Sequence, residues 1–222
     1  MVTPDDNMSI KGIIFDLDGT LIDSLEDLAD SMNSALIRFR YPVHDISAYR
    51  YFVGNGVREL VKAALPESAR DEQTVTECQR LMREAYGANC LNKTKPYDGI
   101  LGLLGELQAG GIKLSVLSNK ADDFTQKIVK ALLPAYFDMV LGLRTGANRK
   151  PDPSGALEIS EEMGIIPGNM MMVGDTPGDI QTAKNAGMIS TGVLWGFRTR
   201  DELIDAGAEY LLNSPRELMD IL

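Results

Sequence analysis

The sequence predicts an α/β fold with a doubly wound parallel sheet and a small inserted helical domain. Two observations support the sheet. Short apolar runs alternate with amphipathic helical patterns, and most of these runs are apolar throughout. A continuous apolar run suits a parallel strand that helices cover on both faces. A third observation predicts the insertion, because no strand pattern occurs between about residue 25 and residue 92.

Six short runs are predicted to form the strands of the core sheet. They lie at 12–16, 112–118, 138–143, 170–175, 189–195 and 208–213. Helical patterns lie among the later runs, at 99–111, 122–134, 152–164 and 179–188. Strands and helices that alternate in this way are typical of a doubly wound, Rossmann-like core.

The segment after the first strand is predicted to be helical, with helices at 25–39, 57–65 and 69–90. The first of these carries one apolar stripe, which includes Leu25, Leu28 and Met32. We therefore predict a helical domain at 24–92 and a core formed by 1–23 and 93–222, with hinges at 20–24 and 92–99. The alternative is that the helices form only an extra layer of a single domain.

Composition restricts the classes of partner. Lys and Arg number 22 against 32 Asp and Glu, so the net charge is −10. This balance argues against binding to nucleic acid or to an anionic membrane, because both require clustered cations. The apolar runs are too short to span a bilayer, and the N-terminus lacks a signal-peptide pattern. We therefore expect a cytoplasmic protein that acts on a small molecule, either as a monomer or as a homodimer.

Polar residues follow or end three of the predicted strands. Asp16 ends the first, Ser118 ends the second and is followed by Asn119 and Lys120, and Asp175 ends the fourth. Ligands of open parallel sheets bind beyond the carboxyl ends of the strands, which right-handed crossovers bring to one edge. These residues could therefore share one site. The simpler explanation for each alone is that the chain reaches the surface there.

Carboxylates are the most informative of these polar groups. Asp16 and Asp18 point the same way if strand geometry continues, and Asp175 and Asp179 lie in the strand-to-helix sequence GDTPGD. Crowded carboxylates repel one another unless a cation is present, and a few oxygen ligands suit Mg²⁺. Lys150 could neutralise an anion or a carboxylate there. Nucleotide-binding glycine loops and a GxSxG elbow are absent from the sequence, which leaves a carboxylate nucleophile assisted by a metal.

Four motifs in this order resemble those of the haloacid dehalogenase-like hydrolases. They are DLDGTLIDS at 16–24, LSNK at 117–120, KPDP at 150–153 and VGDTPGDIQTAKNAGM at 173–188. The helical insertion resembles the cap domain of that family. The stretches at 53–65 and 192–222 further resemble its phosphoglycolate phosphatase branch.

This resemblance implies a role for each matching residue. Asp16 would be the nucleophile that forms an aspartyl-phosphate, and Asp18 would be the general acid and then the general base. Mg²⁺ would be held by Asp16, the backbone carbonyl of Asp18, and Asp175. The phosphoryl oxygens would be bound by Ser118, Asn119 and Lys150. Thr20 and Asp179 would support these groups.

Substrate specificity is expected to come from the cap and its surroundings. The candidate residues are Gly54, Asn55, Gly56, Arg58 and Lys120. They offer cations and flexible backbone to a substrate that carries a carboxylate. The alternative is that the two glycines only form a turn between helices and that Arg58 is a solvated helix residue.

The predicted function is that of a Mg²⁺-dependent phosphomonoesterase acting on a small phosphorylated metabolite, with 2-phosphoglycolate as the best single candidate. Asp18 favours phosphoryl transfer, because the dehalogenases of the family lack an acid at that position. A sugar phosphomutase resembling β-phosphoglucomutase and a pyrophosphatase are the enzymatic alternatives. A non-enzymatic binding module is disfavoured, because each motif position is filled.

Overall fold

The structure is a computed structural model that describes residues 10–144 and 149–222. Residues 1–9 and 145–148 of the predicted core lie outside this range. The strands in the described part are β1 (Gly12–Phe15), β2 (Ile22–Asp23), β3 (Lys95–Pro96), β4 (Lys113–Ala121), β5 (Met139–Leu143), β6 (Met170–Gly174), β7 (Ile189–Val193) and β8 (Tyr210–Leu212). Six of them form one parallel sheet in the order β5-β4-β1-β6-β7-β8, which confirms the predicted doubly wound class.

The helices in the described part are α1 (Leu25–Arg38), α2 (Ile46–Phe52), α3 (Val57–Ala64), α4 (Glu72–Asn89), α5 (Ile100–Ala109), α6 (Asp122–Leu132), α7 (Ser154–Met163), α8 (Pro177–Ala186) and α9 (Arg200–Ala206). Short 3₁₀ turns lie at Glu67–Ala69, Pro167–Asn169 and Pro215–Ile221. In the residues covered by the structure, no helix has both the length and the apolar character of a membrane span.

β1 is the central strand, and its position explains where the site forms. It pairs with β4 on one side and with β6 on the other, so the strand order reverses beside it. Ligands of doubly wound sheets bind at such a reversal, at the carboxyl ends of the strands. All four residues of β1 are buried, and alternate side chains join different apolar clusters. Ile13 and Phe15 belong to one cluster and Ile14 to the other, as the twofold period of a strand requires.

The helices α1 to α4 lie between two short strands that pair with each other. Ile22 of β2 is antiparallel to Pro96 of β3, so the two segments predicted as hinges lie side by side. The buried Asp27 strengthens this junction. Its carboxylate accepts hydrogen bonds from the backbone N–H groups of Lys93 and Thr94 and from the Thr94 hydroxyl, at 2.7–3.2 Å. The start of α1 is thus fixed to the segment through which the chain returns to the core.

Several predicted boundaries differ from the structure. The strand predicted at 112–118 continues to Ala121 as β4, and its register with β5 shifts between Leu117 and Ala121. The polar residues 118–120 therefore lie within the strand and not beyond it. The helix predicted from residue 179 begins at Pro177, because Thr176 and Asp179 form a capping box. The sequence patterns do not predict α2, α9 or the β2–β3 pair.

Candidate active site

Asp16 lies directly beyond β1 and is only 6% exposed. Its backbone N–H donates to the carbonyl of Val173 at 2.9 Å, so the strand pairing continues to this residue. The chain then turns at Gly19, which has a φ of +89°. A Cβ at Gly19 would lie 2.4 Å from Oδ2 of Asp175. Glycine is needed here for both the turn and the close approach of the third carboxylate.

Lys150 bridges two of the predicted site residues. Its Nζ donates to Oδ1 of Asp16 at 2.7 Å and to Oδ1 of Asp179 at 2.6 Å, and the lysine is 3% exposed. Burial lowers the pKa of Lys150, but the two carboxylates outweigh burial and raise this pKa above its ordinary value. Lys150 is therefore a permanent positive charge beside the candidate nucleophile.

Asp175 completes a cluster of buried carboxylates. Its Oδ2 accepts from the backbone N–H of Phe197 at 2.8 Å and its Oδ1 from the hydroxyl of Thr20 at 3.3 Å. Burial raises the pKa of Asp175 well above its ordinary value, and the charges of Asp16 and Asp179 raise it further. Burial also raises the pKa of Asp16 to about 7, although Lys150 opposes this effect.

The residues present fit a divalent cation. One oxygen from each of Asp16, Asp175 and Asp179 lies within 4.8 Å of the others. Oxygen ligands of this kind suit Mg²⁺, whose charge would favour the ionised carboxylates that burial disfavours. Asp179 is the least suited to direct coordination, because it accepts from Lys150 and also from the N–H and hydroxyl of Thr176, at 3.0 and 2.6 Å. A supporting role for Asp179, through Lys150 and Thr176, stays a prediction.

Asp18 has a different environment from that of Asp16. Its two carboxylate oxygens accept from Nζ of Lys120 at 2.9 and 2.7 Å, and Oδ1 also accepts from the hydroxyl of Ser24. Burial lowers the pKa of Lys120, but the charge of Asp18 outweighs burial and raises it. The Lys120 Nζ also lies 4.8 Å from the ring centroid of Tyr86 on α4. Two aspartates two positions apart thus have separate lysine partners.

Ser118 and Asn119 lie on β4 beside these carboxylates. Ser118 is buried, and its hydroxyl accepts from the backbone N–H of Lys120 at 3.2 Å. The side-chain Oδ1 of Asn119 accepts from the backbone N–H of Lys150 at 2.8 Å, while its Nδ2 donates to the backbone carbonyl of Gly54 at 2.9 Å. Asn119 therefore orients the lysine and also connects the α2–α3 loop to the core.

A cavity lies between the sheet edge and the helices α1 to α4. Its walls contain seven residues predicted for the site or its vicinity, namely Asp16, Asp18, Gly54, Gly56, Ser118, Asn119 and Lys120. Asn55 and Arg58 are not among its lining residues in the described chain. Asn55 is exposed, and Arg58 forms an ion pair with Glu72. A role in substrate binding for these two residues stays a prediction.

Residues 195–198 contribute to the site, although sequence reasoning assigned them no role. Trp195 donates from Nε1 to the carbonyl of Thr20 at 3.0 Å, in addition to the Phe197 contact with Asp175. Arg198 donates to the backbone carbonyls of Arg50 and of Val53 at the end of α2. A Cβ at Gly196 would lie 2.3 Å from Cβ of Asp175. No pattern in the sequence indicates these long-range contacts.

Comparison with known proteins decides the family. The family model described as haloacid dehalogenase-like hydrolase matches residues 13–193. The chain belongs to the haloacid dehalogenase-like hydrolases. This confirms the resemblance found in the four motifs, and the match extends across the helices inserted after β1.

Relatives within the haloacid dehalogenase-like hydrolases match nearly the whole chain. A phosphoglycolate phosphatase from Aquifex aeolicus is 34% identical over 214 residues, which cover 96% of this chain and 97% of the relative. One from Escherichia coli K12 is 31% identical, with coverage of 96% and 92%. A solved structure of a predicted phosphoglycolate phosphatase from Haemophilus somnus has a TM-score of 0.90 at 28% identity, with coverage of 98% and 99%. These similarities confirm the predicted enzyme class, a phosphatase.

Proposed function

We propose that the protein is a Mg²⁺-dependent phosphomonoesterase that hydrolyses 2-phosphoglycolate through an aspartyl-phosphate on Asp16. The observation that carries this proposal is the grouping of Asp16, Lys150 and Asp175 at the end of β1, beside a cavity that also contains Asp18. The names of the full-length relatives support the choice of substrate. The helical segment 24–92 is proposed to be the cap domain that covers this cavity.

Asp16 is the nucleophile in this proposal. A carboxylate that attacks a phosphate anion must overcome charge repulsion, and the Nζ of Lys150, 2.7 Å from Oδ1, reduces it. Asp16 forms a bond to phosphorus while the bond from phosphorus to the ester oxygen breaks. When bound, Mg²⁺ would be held by Asp16, Asp175 and the backbone carbonyl of Asp18, and it would supply further positive charge beside the phosphoryl oxygens.

Asp18 transfers the protons in both steps. It donates a proton to the departing ester oxygen, and then removes one from the water that attacks the phosphorus of the aspartyl-phosphate. The second attack breaks the bond to Asp16 and releases inorganic phosphate, so both carboxyl groups return to their initial states. General acid–base catalysis of this kind contributes roughly 10²–10⁴-fold to the rate.

The remaining residues position these groups. The hydroxyl of Ser118 and the charge of Lys150 bind phosphoryl oxygens, and Asn119 holds the backbone of Lys150 through its 2.8 Å hydrogen bond. Asp179 holds Nζ of Lys150 from the other side. The apolar helices that line the cavity exclude bulk water, so that the incoming water is delivered to one position.

A phosphate-release assay over a panel of small phosphorylated metabolites tests this function. We expect Mg²⁺-dependent release from 2-phosphoglycolate, loss of release with a chelator, and loss in Asp16→Asn. The exposed Asp201 provides a matched control, and Asp201→Asn should retain activity. Conversion of a hexose phosphate without phosphate release would instead indicate a phosphomutase, and preferential hydrolysis of pyrophosphate would indicate a pyrophosphatase.

A further inference from the structure

One wall of the cavity has polar groups that the phosphoryl chemistry does not use. Arg83 and Tyr86 reach this wall from α4, and Lys120 reaches it from β4. Elsewhere the cavity lining includes apolar residues, namely Leu28, Val53, Val57, Leu60, Met82, Ala121 and Phe124. Among the described lining residues, Arg83 and Lys120 carry the positive charges. The wall therefore suits a ligand group that is anionic and small.

The Tyr86 hydroxyl is the group in this wall that most clearly indicates ligand binding. Tyr86 is 3% exposed, and no hydrogen bond of normal geometry reaches its hydroxyl within the described chain. The nearby Nζ of Lys120 interacts with this hydroxyl but is itself a donor, so the hydroxyl proton has no acceptor among the described residues. Buried polar groups almost always have a partner, and leaving one without a partner is costly. Since Tyr86 lines the cavity, an oxygen atom of a bound substrate is the natural acceptor for this hydroxyl.

Lys120 lies next to Tyr86 and forms an ion pair with Asp18, the residue that is proposed to transfer protons. Its Nζ lies 4.8 Å from the Tyr86 ring centroid and contacts both carboxylate oxygens of Asp18. In the ion pair between Lys120 and Asp18, the carboxyl group of Asp18 faces Lys120 and Ser24. In the proposed function the same carboxyl group serves the ester oxygen, so its contact with Lys120 competes with that task. A second carboxylate that binds Lys120 would take the place of Asp18.

We propose that Tyr86 and Lys120, with Arg83 at the cavity mouth, bind the carboxylate of the substrate, and that this binding frees Asp18 for proton transfer. The inference rests on the proposed phosphatase function and extends it to a class of substrate. Lys120 contacts Asp18, and Asp18 serves the ester oxygen. The substrate carboxylate must therefore be attached close to that oxygen, as in a phosphorylated 2-hydroxy acid.

Arg83 has a secondary place in this subsite. One of its terminal nitrogens donates to Asp123 at 2.8 Å, and its guanidinium lies 4.9 Å from the ring centroid of Phe124. These contacts orient the guanidinium at the partly exposed edge of the cavity. Arg83 adds positive charge there, while the buried Tyr86 and Lys120 decide which substrate is accepted.

Two substrates that differ in one group test the proposal. Ethyl phosphate has a methyl group where 2-phosphoglycolate has its carboxylate, so the ratio of the two kcat/KM values isolates the subsite. We expect the native protein to prefer 2-phosphoglycolate. Tyr86→Phe should lower this ratio roughly tenfold, as the loss of a hydrogen bond to a charged group would predict. Lys120→Met should lower it further.

Matched substitutions far from the cavity provide the controls. Tyr210 on β8 and Lys113 at the start of β4 are exposed, so Tyr210→Phe and Lys113→Met should keep the native ratio. A ratio that is the same in Tyr86→Phe and in the native protein would overturn the subsite, even if phosphate release is confirmed. Should Lys120→Met fail to fold, Tyr86→Phe decides the question, since it removes one hydroxyl.

Calorimetric titration with 2-phosphoglycolate separates failure of the subsite from failure of the proposed function. If the native protein hydrolyses neither phosphate ester, the proposed function is wrong, and binding alone then tests the subsite. Weaker binding to Tyr86→Phe than to Tyr210→Phe would support it. Equal affinity in these two variants, or no binding to the native protein, would refute it.

Discussion

Replacing Lys150 with methionine removes a buried positive charge and keeps a side chain of similar length. The structure places Nζ of Lys150 2.7 Å from Asp16 and 2.6 Å from Asp179. Asp16 and Asp179 are both buried. The substitution therefore leaves the charges of two buried carboxylates without the lysine that neutralises them. This change should destabilise the metal-free protein.

The expected magnitude follows from these contacts. Two unit charges about 4 Å apart attract each other by about 4 kcal/mol at an effective dielectric constant of about 20. The desolvation of the lysine offsets part of this attraction. Removing one partner of a buried pair costs about 3–5 kcal/mol in comparable cases. We expect a loss of this size in the free energy of unfolding of Lys150→Met.

The loss should also depend on pH. The pKa of Asp16 is raised from 3.8 to about 7 in the folded protein, so the folded state binds this proton more tightly than the unfolded state does. A group of this kind destabilises the fold as pH rises from its unfolded pKa through its folded pKa. Removing Lys150 raises the pKa of Asp16 further, so the pH range in which this group destabilises the fold extends to higher pH. The destabilisation should thus be larger at about pH 8 than at about pH 5.

Urea unfolding in the presence of a chelator measures this difference. The matched control is Lys113→Met, because the Lys113 pair with Asp138 is exposed and such pairs contribute about 0–1 kcal/mol. Unfolding of Lys150→Met and Lys113→Met at the same urea concentration would contradict this expectation. A loss of unfolding free energy in Lys150→Met that is independent of pH would contradict it as well.

Three further predictions concern the metal site and the adjoining helices. Mg²⁺ affinity, measured by calorimetry, should strengthen as pH rises through about 7, because Asp16 must lose its proton to bind the cation; a constant affinity would contradict this. Gly196→Ala should weaken Mg²⁺ binding, since its Cβ would lie 2.3 Å from Cβ of Asp175, whereas Gly168→Ala, where a Cβ meets nothing within 4 Å, should bind as the native protein does. Arg198→Ala should speed amide hydrogen exchange at the C-terminal end of α2, where Arg198 binds the carbonyls of Arg50 and Val53; native exchange rates there would show that these bonds do not hold the helix end.

The sheet could be predicted because short apolar runs mark its strands in the sequence. The run at 12–16 is apolar and is followed by Asp-x-Asp-Gly, so both the strand and its end are visible in the sequence. The strand β4 shows the limit of this reasoning. Ser118 to Lys120 are polar, and their place within the strand depends on pairing with β5, which no local pattern reveals. Tertiary pairing overrides local propensity in such cases.

Helix starts could have been found more accurately. The sequences TPGD at 176–179 and TRDE at 199–202 both form capping boxes, and the pattern of Thr followed three residues later by an acidic residue predicts a helix start. Greater weight on this pattern predicts α9 and the early start of α8. α2 has seven residues and no side-chain cap, so neither its length nor its boundaries indicate a helix.

The motifs indicate candidate residues for the site, but they do not indicate how those residues pair. The motifs identify Asp16, Lys150 and Asp179, and the structure joins them through two hydrogen bonds of Lys150. The contact between Lys120 and Tyr86 depends on how α4 packs over β4. No short segment of the sequence indicates a contact between residues this far apart in the chain. The proposed carboxylate subsite therefore depends on the structure.

Trapping the phosphorylated enzyme tests whether Asp16 is the nucleophile. The protein is mixed with radiolabelled 2-phosphoglycolate and Mg²⁺, quenched in acid during turnover, and digested for peptide mapping by mass spectrometry. We expect label on the peptide that contains Asp16, and no label on the Asp16→Asn protein. Phosphate release without label on the protein, and with full activity in Asp16→Asn, would contradict this expectation.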